Sequence, residues 1–564
     1  MSSSTFDCWD KRTSWYRLLV QRVGWPLLVS VFLLVFGSYR IAQTWELYCP
    51  TYDEPVHIAC GLEWWDKGAY TLEPQHPPLA RIVLAYPLYA AGKHIKGIAN
   101  WTAEGNEQIY EGSFRQNMIA VRRPMLLFFW LGGLTCFVWC ALYLTPWIGA
   151  LSVFLYALSP PVLGQAGIAT TDIAITGTLP LAVLAALVFA RQPSWKTGSF
   201  AGFAAALGLT SKMSFLLFYP AALFGCALAG GLRTWKQKDK PKANLRWEAI
   251  APYLRAAGPG LAVFAFTVWA IYLFSVDDLS PAKGAQALLT NSVGWKHQLL
   301  DVLLHVRMPA GKLISGIGSV FLHFEMGHTV LFLGKLQTHG SVIFFPLIFA
   351  IKSPLAFVLL ALLALVYCFR STDVVAAEAA FPLLAGCMIL MGCLPATLNL
   401  GVRHILPIYP LLGIAAAAAL SALWNCEAAR RVGRVAAIGL VGGILYSHLD
   451  AGPDYIPWFN VLAGSHPERI VVDSDLDLGQ DLSRLVQQAR DSHIDRLWLR
   501  YWGSADPKRH DLPPFTELPF NQPVKGWVAI SINWAAVHAD EFAWLDRYPF
   551  QPVGKTIRLY KIDP

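Results

Sequence analysis

The stretch GWPLLVSVFLLVFGSYRIAQTWELYCPTYDEP, residues 24–55, begins with an apolar run and ends on two adjacent acids, Asp53 and Glu54. A helix gains about 1.5 Å per residue, so roughly 20 apolar residues match the hydrocarbon core of a bilayer, and the run at about 25–43 meets that length. The two carboxylates therefore stand where the chain has just left the membrane. An ionisable group at such a place is costly without a partner, a water-filled cavity or a chemical task, which makes the pair a functional candidate. The same residues have a plainer reading, because Asp followed shortly by Pro55 opens a helix well. The local sequence leaves both open.

Outward from this stretch the chain repeats the pattern. Of its 564 residues, 55% are hydrophobic and 15% charged, 22 are Trp, and the mean hydropathy is +0.43, which excludes an ordinary soluble protein. Apolar runs at about 123–143, 146–164, 173–190, 198–211, 213–231, 254–275, 342–369, 380–398, 405–424 and 434–448 bring the total to about eleven spans. The expected architecture is a polytopic α-helical membrane domain over 1–448, with outer loops at about 44–122 and 276–341 and a tail over 449–564. The first apolar run passes into polar, non-small residues, so it reads as an uncleaved anchor rather than a signal peptide.

The net charge of +8 collects largely in short loops, including Arg191 with Lys196, Arg233 to Lys242, and Arg430, Arg431 and Arg434. That distribution follows the positive-inside rule and calls for membrane lipids, not nucleic acid, as partners. An odd number of spans puts the C-terminus outside. Arg122 and Arg123 break the rule, since they fall on the outer side. The tail has no Cys and alternates apolar runs at 469–472, 497–499, 527–530 and 557–560 with helix-like stretches at 479–492 and 534–546, which reads as a small α/β domain. Cys49 and Cys60 bracket the acids, and a disulfide between them is left open.

Several residues could work with the acids. Val56 to Trp65 places apolar residues at helical spacing, as in an amphipathic helix lying in the interface. In Gln75-His76-Pro77-Pro78-Leu79-Ala80-Arg81 the prolines permit a helix only after Pro78, so His76 and Arg81 are offered at a helix start or form a surface turn. Asp172, after Thr170-Thr171, is a third acid or part of a helix cap; Lys212 joins the set or snorkels between two spans. Lys352 interrupts an apolar run, and Arg403 with His404 completes a cationic group. A carboxylate can take a proton from an incoming hydroxyl while cations neutralise a departing phosphate. No cofactor is expected. His57, His76, His328, His339 and His404 lack the spacing of a metal site, so a divalent ion is not supported by the ligands.

Seven motifs in order resemble the membrane-embedded C-type glycosyltransferases, in particular the family 39-like group of protein O-mannosyltransferases and aminoarabinose transferases. They are Tyr52-Asp53-Glu54-Pro55, His76-Pro77-Pro78-Leu79, Thr170-Thr171-Asp172, Thr210-Ser211-Lys212, Phe332-Leu333-Gly334, Lys352-Ser353-Pro354-Leu355 and Gly401-Val402-Arg403-His404-Ile405-Leu406-Pro407. The tail run Asp473-Ser474-Asp475-Leu476-Asp477-Leu478-Gly479-Gln480-Asp481-Leu482 is similar to that of many bacterial proteins assigned to the group. The resemblance implies inverting transfer of a sugar from a polyprenyl phosphate to an acceptor hydroxyl, in a bacterial inner membrane with the site and tail facing the exterior. It implies Asp53 as the catalytic acid-base group, Glu54 as its orienter or a cation's partner, Asp172 as a second acid, and His76, Arg81, Lys212, Arg403 and His404 around the donor phosphate. Two departures stand out. Gln75-His76 replace the Glu-Lys that aminoarabinose transferases carry before the prolines, where the Glu helps bind a metal, and Gln165 stands where many relatives have a His. The same features leave room for a polyprenyl-glycan transporter or flippase, for a non-catalytic relative serving envelope assembly, and for a phospholipid-dependent transferase. Internal repeats typical of transporters are not evident, and the nucleophile-and-metal spacing of the last is absent.

Overall fold

A computed structural model describes residues 15–236, 247–277, 290 and 292–563. The chain enters through α1 (Trp15–Trp45), then packs α2 (Glu54–Lys67), α3 (Leu79–Ala90), α4 (Trp101–Tyr110) and α5 (Phe114–Arg122) into the first outer segment. The bundle continues with α6 (Leu126–Tyr143), α7 (Pro146–Ala157), α8 (Pro160–Ala166), α9 (Asp172–Arg191), α10 (Trp195–Ser211), α11 (Phe215–Lys236) and α12 (Trp247–Ile271). After α13 (Trp295–His305) and α14 (Gly311–Met326) come α15 (Phe344–Lys352), α16 (Leu355–Arg370), α17 (Val374–Cys393), α18 (Ile408–Trp424) and α19 (Arg430–Ala451).

Among the described residues seven helices are long and apolar enough to cross a membrane, or nine if two bent pairs each count as a span. Two features separate this count from the expected eleven. The runs at 146–164 and 342–369 are each broken, α7 to α8 by 66° and α15 to α16 by 119°, where Pro160 and Pro354 interrupt the backbone ladder. The other is length: α10 and α18 have 17 residues each, at the lower limit of spanning length. A lipid-facing stripe is visible on α1, where Leu28, Phe32, Val35 and Tyr39 are exposed on one side while Leu34 and Ile41 are buried. Close helix contact relies on small residues: a Cβ on Gly202 of α10 would lie 2.0 Å from the Gly260 carbonyl oxygen of α12.

Helix α2 forms where helical spacing predicts it, and other helices cover it. Residues from Ile58 to Glu63 are buried, because α3 and α4 cover them. The tail is an α/β unit whose five strands are β5 (Leu497–Arg500), β6 (Phe515–Glu517), β7 (Gly526–Ser531), β8 (Phe550–Val553) and β9 (Ile557–Ile562), preceded in the chain by the short pairs β1 (Val276–Asp277) with β2 (Met308–Pro309) and β3 (Val330–Phe332) with β4 (Lys335–Gln337). The order is β6-β5-β7-β9-β8, with β5 parallel to both β6 and β7, and β9 antiparallel to its neighbours. Residues 469–472 are not a sheet strand; Val471 makes a single bridge to Phe332 of the β3–β4 hairpin. The expected helix at 534–546 is divided into short turns, and α19 runs on to Ala451, past the expected boundary at 448. Cys49 joins the hydrophobic core of the tail, so the two parts share packing.

Candidate active site

Asp53 sits at the N-cap position of α2, yet its carboxylate makes no capping bond. It accepts instead from Arg403 Nη1. Its side chain keeps 32% exposure, against 12% for Arg403, so the acid is paired and still reachable. Burial would raise this carboxyl, but the charge and hydrogen bond of Arg403 outweigh it and hold Asp53 down at about 2.

The second pair follows from helix geometry. Helix α9 runs 20 residues away from Asp172, and α10 returns over 17 residues to end just before Lys212, so an antiparallel hairpin returns both to one end of the bundle. Lys212 Nζ donates to Asp172 Oδ1, which neither caps a helix nor leaves the lysine to snorkel. Asp172 lies in the first turn of α9, where the helix dipole also favours an anion. Arg403 feels Asp172 and Asp473 as well as Asp53, and His404 feels Lys212, Arg403, His76 and His323. These groups share one electrostatic neighbourhood.

Two expectations are corrected here, those for Arg81 and His404. Glu54 is fully buried and bonded to Arg122 through both oxygens, at 2.8 and 2.7 Å; it also accepts from Ala169 N and Thr51 N. It cannot reach a substrate. Arg81 is likewise buried, held by Glu73, His57 and Tyr70, and offers nothing to a phosphate. His404 adds no positive charge at neutral pH, because burial and the nearby Lys212 and Arg403 push it well below the usual histidine range. His57 is kept neutral in the same way, first by burial and then by Arg81 and His76. His76 remains at the site, its Nδ1 on Glu73 at 3.0 Å and its side chain one third exposed.

The fold adds residues that the sequence did not single out. Arg122 was visible only as a breach of the positive-inside rule, and its full burial beside Glu54 explains that breach, since the rule counts loop charges in water. Its guanidinium also donates to the carbonyls of Trp45, Tyr48 and Cys49, tying the end of α1 to the acids. Glu73 organises Arg81 and His76. His328 meets Asp473 at 3.2 Å. Lys352 is structural: its ammonium donates to the carbonyls of Ile456, Trp458 and Asp475. Cys49 and Cys60 are both free. Gln75 amide lies 2.9 Å from His323 Nδ1, a donor set that does not fit a glutamate-held metal, and among the described residues no group of three metal-ligating side chains gathers.

Residues 99–269 match the dolichyl-phosphate-mannose-protein mannosyltransferase family. That stretch holds Arg122, Asp172 and Lys212 but neither Asp53 nor Arg403. No protein of curated function matches it in sequence. Among solved structures it is similar to ArnT from Cupriavidus metallidurans bound to undecaprenyl phosphate, at 12% identity and a TM-score of 0.47 over 94% of this chain and 97% of that one. The S. cerevisiae protein O-mannosyltransferase Pmt1-Pmt2 complex bound to its sugar donor gives 12% and 0.49, over 77% and 90%. The archaeal oligosaccharyltransferase AglB from Archaeoglobus fulgidus, in complex with an inhibitory peptide and a dolichol-phosphate, gives 12% and 0.41, over 94% and 74%.

Proposed function

We propose that this protein moves a sugar from a polyprenyl-phosphate donor to an acceptor hydroxyl, with inversion, on the extracytoplasmic face of a bacterial inner membrane. The observation that carries this reading is the reachable Asp53 carboxylate held by Arg403 next to the Asp172–Lys212 pair. In one displacement the acceptor oxygen bonds to the anomeric carbon as the bond from that carbon to the phosphate oxygen breaks. The acceptor proton passes to Asp53, and the electron pair leaves on the lipid phosphate. Arg403, Lys212 and His76 surround the place where that charge grows, which is where stabilisation lowers a barrier.

A carboxylate near pKa 2 is a weak base, and the resting ion pair with Arg403 makes it one. An incoming phosphate competes for the same guanidinium. When it takes Arg403, the half-buried Asp53 loses its main counter-charge and becomes more basic, so donor binding itself prepares the base.

The test supplies purified full-length protein with a panel of polyprenyl-phosphate sugars and follows release of the free lipid phosphate. Wild type should turn over at least one donor, and Asp53→Asn should lose about a hundredfold or more. Equal rates in both, or no turnover of any donor by wild type, would sink the proposal.

A further inference from the structure

The three parallel strands of the tail all end at one place. Two residues past β5 comes Trp502, three past β6 comes Phe520, and three past β7 comes Trp534. The carboxyl ends of parallel strands are where ligands of α/β sheets usually bind. Trp502 and Trp534 meet at 5.9 Å, edge to face, and Phe520 closes on Trp534 at 6.0 Å. This aromatic shelf continues to the candidate active site: Trp502 stacks on Tyr52 at 5.4 Å, and Tyr52 directly precedes Asp53. Tyr52 is 47% exposed and Phe520 41%, while the two tryptophans are half-buried.

A polar group lies beneath the rings. Arg500 is buried, with its guanidinium 4.0 Å from the Phe520 centroid and 5.1 Å from that of Trp534. It donates to Glu517, whose side chain is 76% exposed, and its Nε has no hydrogen-bond partner among the described residues. Buried donors normally find one. Rings with a polar rim suit a molecule that is apolar on one face and hydroxylated at its edge.

From this arrangement we infer that the shelf is a carbohydrate subsite, taking a pyranose ring of the acceptor so that its neighbouring hydroxyl reaches Asp53. The C–H face of the ring covers aromatic carbon, and its equatorial hydroxyls meet the exposed Glu517 carboxylate that Arg500 holds. The inference rests on the transfer reading for the word acceptor, but not for the binding of sugar. A peptide would be read along a free strand edge rather than across strand ends. A lipid interface would draw the indole N–H outward, whereas Trp534 Nε1 donates inward to the Tyr501 carbonyl at 3.1 Å.

The experiment is calorimetric titration of the full-length protein in nanodiscs with methyl hexopyranosides, maltohexaose and mannohexaose, without any donor. At least one saccharide should bind. Trp502→Ala and Trp534→Ala should each weaken it about tenfold, the equivalent of about 1.4 kcal/mol, while Trp502→Phe stays within about threefold of wild type, since a ring is kept. Trp147→Ala, an exposed residue on α7, should change nothing. No saccharide binding to wild type, or binding in both alanine variants unchanged from wild type, overturns the inference. So does binding of a Ser/Thr-rich peptide alone. If saccharide binds as expected while no polyprenyl donor is turned over, the transfer reading falls and the sugar site stands.

Discussion

Arg403 Nη1 donates to Asp53 Oδ2, joining two loops that lie 350 residues apart in the chain. The pair keeps the acid ionised.

The first prediction concerns pH. Asp53 falls from an ordinary 3.8 to about 2 on folding. A depressed carboxyl contributes stability that is present above the unfolded value and lost as pH falls toward about 2. In the free enzyme the acid should stay ionised through pH 4–8, so kcat/KM should show no Asp53 limb in that range. With Arg403 drawn onto the donor phosphate, the limb in kcat should appear at higher pH. Identical limbs in the two profiles would refute the exchange of partners.

A second prediction follows from the Glu54–Arg122 pair, both side chains being fully buried. Arg122→Ala should cost about 3–5 kcal/mol by leaving a buried charge alone. Replacing the two together by Leu and Met should not restore stability, because the amides of Thr51 and Ala169 and the carbonyls of Trp45, Tyr48 and Cys49 would lose their partners as well. Thermal unfolding in detergent measures both; recovery in the double variant would show that the backbone contacts matter little.

Third, the acid-rich run at 473–481 acts as a strap over the site. On one side Asp475 Oδ1 accepts from Val402 N at 2.8 Å, next to Arg403, and Ser474 donates to the Leu400 carbonyl. On the other, the carbonyls of Leu478 and Gln480 accept from Tyr52 N and Cys49 N, beside Asp53. Gly401 has φ 84, and a Cβ there would sit 2.7 Å from Asp475 Oδ2. Asp475→Ala should therefore lower kcat per folded molecule about tenfold or more through misplacement of Arg403, and Asp475→Asn, which keeps the accepting oxygen, should recover most of it. Loss of folded protein with unchanged kcat would mark a role in stability alone.

Fourth, Lys212→Ala should raise the KM for the donor about 10–100-fold, the scale of one charge-assisted hydrogen bond. Lys212→Arg should keep most of the affinity. Donor titration at fixed acceptor decides, and an unchanged KM would remove Lys212 from the phosphate site.

Much of the fold was legible because span length and hydropathy are local properties of the chain. Helix α2 followed from its spacing, and the strands at 497–500, 526–531 and 557–562 were visible as short apolar runs. Asp53, Asp172, Lys212 and Arg403 could be picked out as charges beside apolar segments. Their pairing could not, since it depends on how α9 turns back into α10 and on which loop the tail presses against Asp53. What covers α2 could not be read either, because a run of apolar residues reads the same whether lipid or other helices cover it.

By itself, then, the amino-acid order determined a polytopic helical chain with a compact tail, acids just past the first span, and a set of cations able to meet a phosphate. Tertiary structure decided which charges work in the open and which are consumed inside. Glu54 and Arg81 have the same chemistry as Asp53 and Arg403, but full burial gives each a fixed partner, whereas Asp53 and Arg403 stay partly exposed. Solvent access is a property of packing between distant segments, and no local pattern of residues carries it.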